Sequence, residues 1–235
     1  MTFVALKQDF STESDRTWSR DEVLTCYRRL RSISQRHNSS AMTFLAPDSI
    51  THHARKLGIA DGQTIVLDSE DELSFVFDLA IYTAGPGRSR AIDRYARSVQ
   101  SPPGTDEAKV IGAMCNSRFA IVQVMRRHEA AGLIVKDMVR GDTIWLMDEG
   151  LEMSMPNESI LATRLYEPVE FAMTAGVIVP LDALFPREAF SDQARLLGKP
   201  LNQTINSRQF AEMLYRIALA NGWATRNRLQ NAGEE

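Results

Sequence analysis

The residues best equipped for chemistry in this chain are its arginines, 22 of them against only five lysines. Arg88, Arg90, Arg94 and Arg97 crowd one short stretch, and the last three fall at i, i+4 and i+7, one face of a helix. Arg88 and Arg90 also belong to Gly85-Pro86-Gly87-Arg88-Ser89-Arg90, a loop of phosphate-cradling type that leads into a helix start, where free backbone amides favour an anion. A second basic group is Arg28, Arg29, Arg31 and Arg36, and a third is Arg126-Arg127-His128. The planar guanidinium matches phosphate or carboxylate with two parallel hydrogen bonds, which an ammonium cannot do. The arginines at 88, 90, 94 and 97 are therefore the expected anion- or partner-binding residues, and those at 28, 29, 31 and 36 a second basic patch.

Other chemistries lack their residues. The histidines are His37, His52, His53 and His128, and the cysteines Cys26 and Cys115 stand far apart. Adjacent His52 and His53 diverge by about 100° on a helix, so they cannot chelate one ion as a pair at i, i+4 would. No Cys-x-x-Cys, His-x-x-x-His or His-Glu-x-x-His spacing occurs, so neither metal nor cofactor is expected. There is no Gly-x-x-x-x-Gly-Lys-Ser/Thr loop and no Gly-x-Ser-x-Gly elbow, and both cysteines fall on apolar helix faces where a thiol is inert packing. Clustered acids such as Glu70, Asp71 and Glu72 sit at a helix start, where capping accounts for them. Nothing here demands an enzyme. Arg90-x-x-x-Arg94 has the spacing of the arginine pair in the PilZ signature, which precedes a cyclic-di-GMP-binding barrel. Here the pair lies on an expected helix well ahead of any strand, and the Asp/Asn-x-Ser-x-x-Gly half is absent, so that family is not assigned.

The elements that must position these residues are legible from periodicity. Residues 1–18 read as a flexible arm. Ser19-Arg20-Asp21-Glu22 is a capping box, followed by Val23, Cys26, Tyr27, Leu30 and Ile33 at helical spacing. Further helices are expected from Asp48 to Gly58, after the capping box Ser69–Glu72, from Ser89 with Ile92, Tyr95, Ala96 and Val99 inward, and from Thr105. From Ser117 the texture changes to five β-rich segments: Phe119–Met125, Leu133–Val139, Thr143–Met147, Ile160–Tyr166 and Val169–Val179. Turns are too short for parallel crossovers, so an antiparallel meander or small SH3-like or OB-like barrel is expected. On its face Trp145, Arg164 and Tyr166 form a possible binding platform, although Trp145 is expected to pack beneath the helical half. Helices return over Pro186–Leu197 and from Asn206 or Ser207 to Gly222, and 224–235 reads as a tail.

The fold class is thus α+β: a helical segment 19–116, a β segment 117–180 and C-terminal helices over 181–223 packed on the core. At 235 residues, with 44% hydrophobic and 24% charged residues, the chain can build a sizeable core. No apolar run approaches the roughly 18 residues that cross a bilayer. The start Met1-Thr2-Phe3-Val4-Ala5-Leu6-Lys7 lacks signal-peptide character, so a reducing cytoplasm is expected and no membrane partner. Net charge is −3, but it is segmented: residues 61–84 carry six acids and no base, and residues 85–100 four bases and one acid. Segregated charge without catalytic motifs points first to a non-catalytic cytoplasmic adaptor or regulatory protein acting through protein contacts or self-association. The alternative is a nucleic-acid or nucleotide binder that uses the arginine-rich helix and the small barrel.

Overall fold

A computed structural model describes residues 18–62, 64–67, 70–181 and 200–220. Expectations for residues 1–17, for Ser69 of the second capping box, for the helix over Pro186–Leu197 and for the tail fall outside the described residues.

Helix α1 (Arg20–Met42) starts at the expected capping box: the Ser19 hydroxyl accepts the Glu22 amide, and the Glu22 carboxylate accepts the Ser19 amide at 2.9 Å. Its apolar stripe is buried from Val23 to Ile33, as the spacing requires. Helix α2 (Ser49–Leu57) ends at Gly58, whose φ of +83° is the left-handed cap that a side chain would disfavour. A two-strand hairpin follows, β1 (Ala60–Asp61) with β2 (Thr64–Ile65), then α3 (Glu70–Tyr82). Helices α4 (Ala91–Ser98) and α5 (Asp106–Cys115) complete the first half, the latter capped by the Thr105 hydroxyl.

The second half holds β3 (Arg118–Arg127), β4 (Leu133–Asp137), β5 (Thr143–Leu146), α6 (Glu149–Ser154), β6 (Ile160–Tyr166) and β7 (Met173–Pro180). After the undescribed stretch come α7 (Leu201–Thr204) and α8 (Arg208–Ala220). The fold is broadly α+β, and the five expected strands form one antiparallel sheet. Two expectations are corrected. The order is β5-β4-β3-β6-β7, not a sequential meander, because the chain leaves β5, runs through α6 and returns to the free edge of β3. Nor is the sheet closed into a barrel: its edge strands meet only near the parallel bridge Leu146–Ala172. Between β5 and β6, where no helix is expected from sequence, stands the short helix α6, started by the Asp148 carboxylate accepting the Leu151 amide.

Three apolar clusters hold the layers together. One face of the curled sheet encloses Val122, Leu133, Val135, Leu146 and Leu161, with Leu151 of α6 against them. The other face packs Phe119, Ala162 and Val179 on Phe75 and Leu79 of α3 and on Phe210 and Leu214 of α8. A third cluster joins α1, α4 and α5 to Phe171 and Met173. Each large side chain fully buried in this way contributes about 1.5–3 kcal/mol. Strand β6, inside the sheet between β3 and β7, is buried on both faces from Leu161 to Tyr166, and that run contains one charge, Arg164.

Candidate anion-binding cleft

Arg164 stands where the β6–β7 register shifts, between Thr163 paired with Ile178 and Leu165 paired with Thr174. Gly176, opposite, has φ +114°, a conformation natural only to glycine, and the bulge turns the arginine side chain toward α3. There its Nε and Nη2 donate to the two carboxylate oxygens of Asp78 at 2.8 and 3.0 Å. The Tyr215 hydroxyl of α8 donates to the same carboxylate at 2.8 Å. The guanidinium lies over the rings of Tyr82 and Phe119, at 5.0 and 5.6 Å from their centres. Burial works against the Arg164 charge, but the Asp78 carboxylate outweighs it and keeps the cation protonated. Burial likewise pushes the Tyr82 and Tyr215 hydroxyls up, so both remain protonated.

This cation is one wall of a cleft of about 430 Å³ between the end of α3, the loop before α4, the start of β3 and the start of α8. Arg88, Arg90, Arg118 and Arg208 line it as well, and among the described residues no carboxylate does. The acids sit behind the arginines and orient them. Arg90 donates through Nε and Nη2 to Asp93 at 2.8 and 2.6 Å, and also to the Cys115 carbonyl. Arg118 donates to buried Asp137 at 2.6 Å, and Asp137 is itself fixed by accepting the Val139 and Arg140 amides. Arg208 lies 3.3 Å from Glu212, yet its Nε is buried without a hydrogen bond. The buried Ser117 hydroxyl on the same wall has none either. Arg88 is exposed at the mouth.

The expected site residues are distributed as follows. Arg88 and Arg90 line the cleft. Arg94, expected on a solvent-facing stripe, reaches back instead to the carbonyls of Ser89 and Phe44, because its long side chain closes the loop ahead of α4. Arg97 is exposed and donates to the Asp93 carbonyl at 3.2 Å. In the second group, Arg28 pairs with Glu149 at 2.7 Å, Arg29 with Asp106 at 2.6 Å and Arg36 with Glu107 at 3.0 Å. Arg31 is turned inward onto the Thr174 carbonyl. The residues of the expected β-face platform do not form an open surface. Arg164 and Tyr166 are buried. Trp145 stacks on His128 with ring centres 3.9 Å apart, packs edge-on to Phe171 and Trp18, and donates its indole N–H to the Ala131 carbonyl.

Arg118, Arg208, Asp78 and Ser117 were missed as site residues. One signal was present for Asp78 and Arg164: each is the lone charge in a largely apolar run, Phe75–Tyr82 and Leu161–Tyr166, and such a charge needs a buried partner.

Among the described residues no three His, Cys, Asp or Glu side chains gather as a metal site, and no helix is long and apolar enough to cross a membrane. No curated protein and no solved structure matches the chain. A family model does, described as a family of unknown function (DUF7986), over residues 21–218. That span includes every arginine of the cleft and each acid behind it, and the chain belongs to this family.

Proposed function

We propose that this chain is a non-catalytic regulatory protein that binds a small phosphate-bearing molecule in the arginine-lined cleft. One observation carries the reading: five guanidiniums from four separate parts of the chain line one hollow of small-molecule size, with no carboxylate on its wall among the described residues. Acids held behind the cations set their direction before any ligand arrives, which lowers the ordering cost of binding. Among the described residues the wall carries no carboxylate, thiol or imidazole, so it suits holding a charge better than moving a proton. Of the two expectations from sequence, nucleotide-like binding is put first. Action through protein contacts rested on segregated charge, and Arg28, Arg29 and Arg36 meet their acids within one molecule.

The test is thermal unfolding with pyrophosphate against sodium chloride at equal ionic strength. A ligand that binds only the folded state, at 100 times its Kd, stabilises by about 2.7 kcal/mol. Pyrophosphate is expected to raise the melting temperature of the wild type and, at the same concentration, to raise that of Arg88→Ala only about half as much, since one lost charged contact weakens binding about 10-fold. Equal shifts in both proteins, or no shift in the wild type, would contradict the reading.

A further inference from the structure

The arginine cleft is not isolated. A second hollow of about 370 Å³ lies on the other side of Thr83, Ala84 and Gly85, and it shares Arg88 and Arg208 with the first. Its chemistry is different. Where the first cleft presents cations and neutral donors without a carboxylate, the second adds Asp48, Ser49, His52 and His53, a mixed set of acceptors and donors. Asp48 stands at the N-cap of α2 but makes no capping hydrogen bond, and among the described residues it joins no ion pair with the arginines that share its hollow. A carboxylate in that state is an acceptor for two hydroxyl donors. His53 is buried, its ring edge-on to His52 and 3.9 Å from the Glu212 carboxylate, with Arg208, Lys56 and Asp78 near enough to act on its charge. Burial first, then the neighbouring cations, holds the imidazole neutral down to a pKa of about 4. A neutral ring offers hydroxyl groups one donor and one acceptor, and offers an anion no charge.

We infer, on the reading that the arginine cleft takes phosphate, that its ligand is a sugar phosphate, whose phosphate lies among the arginines and whose hydroxyls reach Asp48 and His53 in the adjoining hollow. Arg88 and Arg208 stand at the junction, where the ester link would pass. The Asp48 carboxylate repels a second phosphate from that end, so the site sorts the two ends of an asymmetric ligand. A free sugar phosphate and the ribose phosphate of a nucleotide share this chemistry.

The experiment is calorimetric titration of the full chain at fixed ionic strength with methyl phosphate, ribose 5-phosphate, AMP and free ribose, repeated on Asp48→Ala. Asp48 is exposed, so this variant is expected to fold. Ribose 5-phosphate is expected to bind at least about 10-fold tighter than methyl phosphate, the factor that one good hydrogen bond supplies. Asp48→Ala is expected to erase that advantage and leave methyl phosphate binding unchanged. AMP tighter than ribose 5-phosphate identifies a nucleotide as the source, and AMP equal or weaker a free sugar phosphate. Either result supports the inference. Methyl phosphate binding as tightly as ribose 5-phosphate, or an equal loss of both in Asp48→Ala, overturns it and leaves the cleft's phosphate reading standing. Absence of binding by methyl phosphate and ribose 5-phosphate alike overturns both.

Discussion

Asp78 and Arg164 define the molecule at the scale of single residues. Both are nearly without solvent, and each makes the other's charge tolerable. Removing one partner leaves an uncompensated buried charge, which costs about 3–5 kcal/mol. Asp78→Ala is therefore expected to lower the unfolding free energy by about that amount in urea titrations. Tyr215→Phe, which removes one hydrogen bond to a charged group, is expected to cost about 1.5–3 kcal/mol. A Tyr215→Phe loss larger than the Asp78→Ala loss would contradict this ranking. The His128–Trp145 stack gives a second prediction. The His128 pKa is lowered by burial and by Arg126, so its ring is neutral at pH 7. A protonated imidazole quenches a stacked indole, so tryptophan emission is expected to rise with pH, with a midpoint below 6.5, the ordinary histidine value. His128→Ala should remove that transition. If it persists unchanged, the stack is not its source. These pairs were half legible: a lone charge in an apolar run announces that a partner exists, but not which residue it is.

At the scale of elements, the arginines of α1 divide by where they point. Arg28 meets the first turn of α6, while Arg29 and Arg36 meet that of α5; all three pairs lie at the surface, where solvent and entropy leave little net gain. Arg31 instead satisfies the Thr174 carbonyl inside the fold. Arg31→Ala is expected to destabilise by about 1–3 kcal/mol, and Arg36→Ala by nothing measurable. Comparable losses would contradict the division.

Helix α2 supplies a pH dependence through His53, whose folded pKa is lowered from 6.5 to about 4. Its contribution is full above 6.5 and falls as pH drops toward 4, because the unfolded chain binds the proton first. The loss is capped at about 3 kcal/mol, and His53→Gln should flatten stability over that range. An unchanged slope in the variant would contradict it.

The helices were readable because their apolar stripes and caps are local. Helix α6 was not, since six residues carry too little periodicity and its acids resemble a turn. The strands were found singly, but their order depends on which edge β6 chooses, and that is decided by α6 and the core it covers.

For the whole molecule, the net charge of −3 conceals an internal arrangement: acids stand behind arginines, and the arginines face a common hollow. Arg88 and Arg90 could be nominated from one loop. Arg118, Arg164 and Arg208 join them only because the start of β3, the stretch of β6 opposite the bulge in β7 and the first residue of α8 converge, and no local pattern records that convergence. The central claim is that this hollow holds a phosphate. Its most direct measurement is calorimetric titration of pyrophosphate into the wild type and into an Arg88→Ala/Arg208→Ala double variant, with folding verified by circular dichroism. The account predicts saturable one-site binding to the wild type and at least about 100-fold weaker binding to the variant, since each lost charged contact is worth a factor of about 10 or more. Equal affinity in the two folded proteins, or no heat of binding in the wild type, would contradict it.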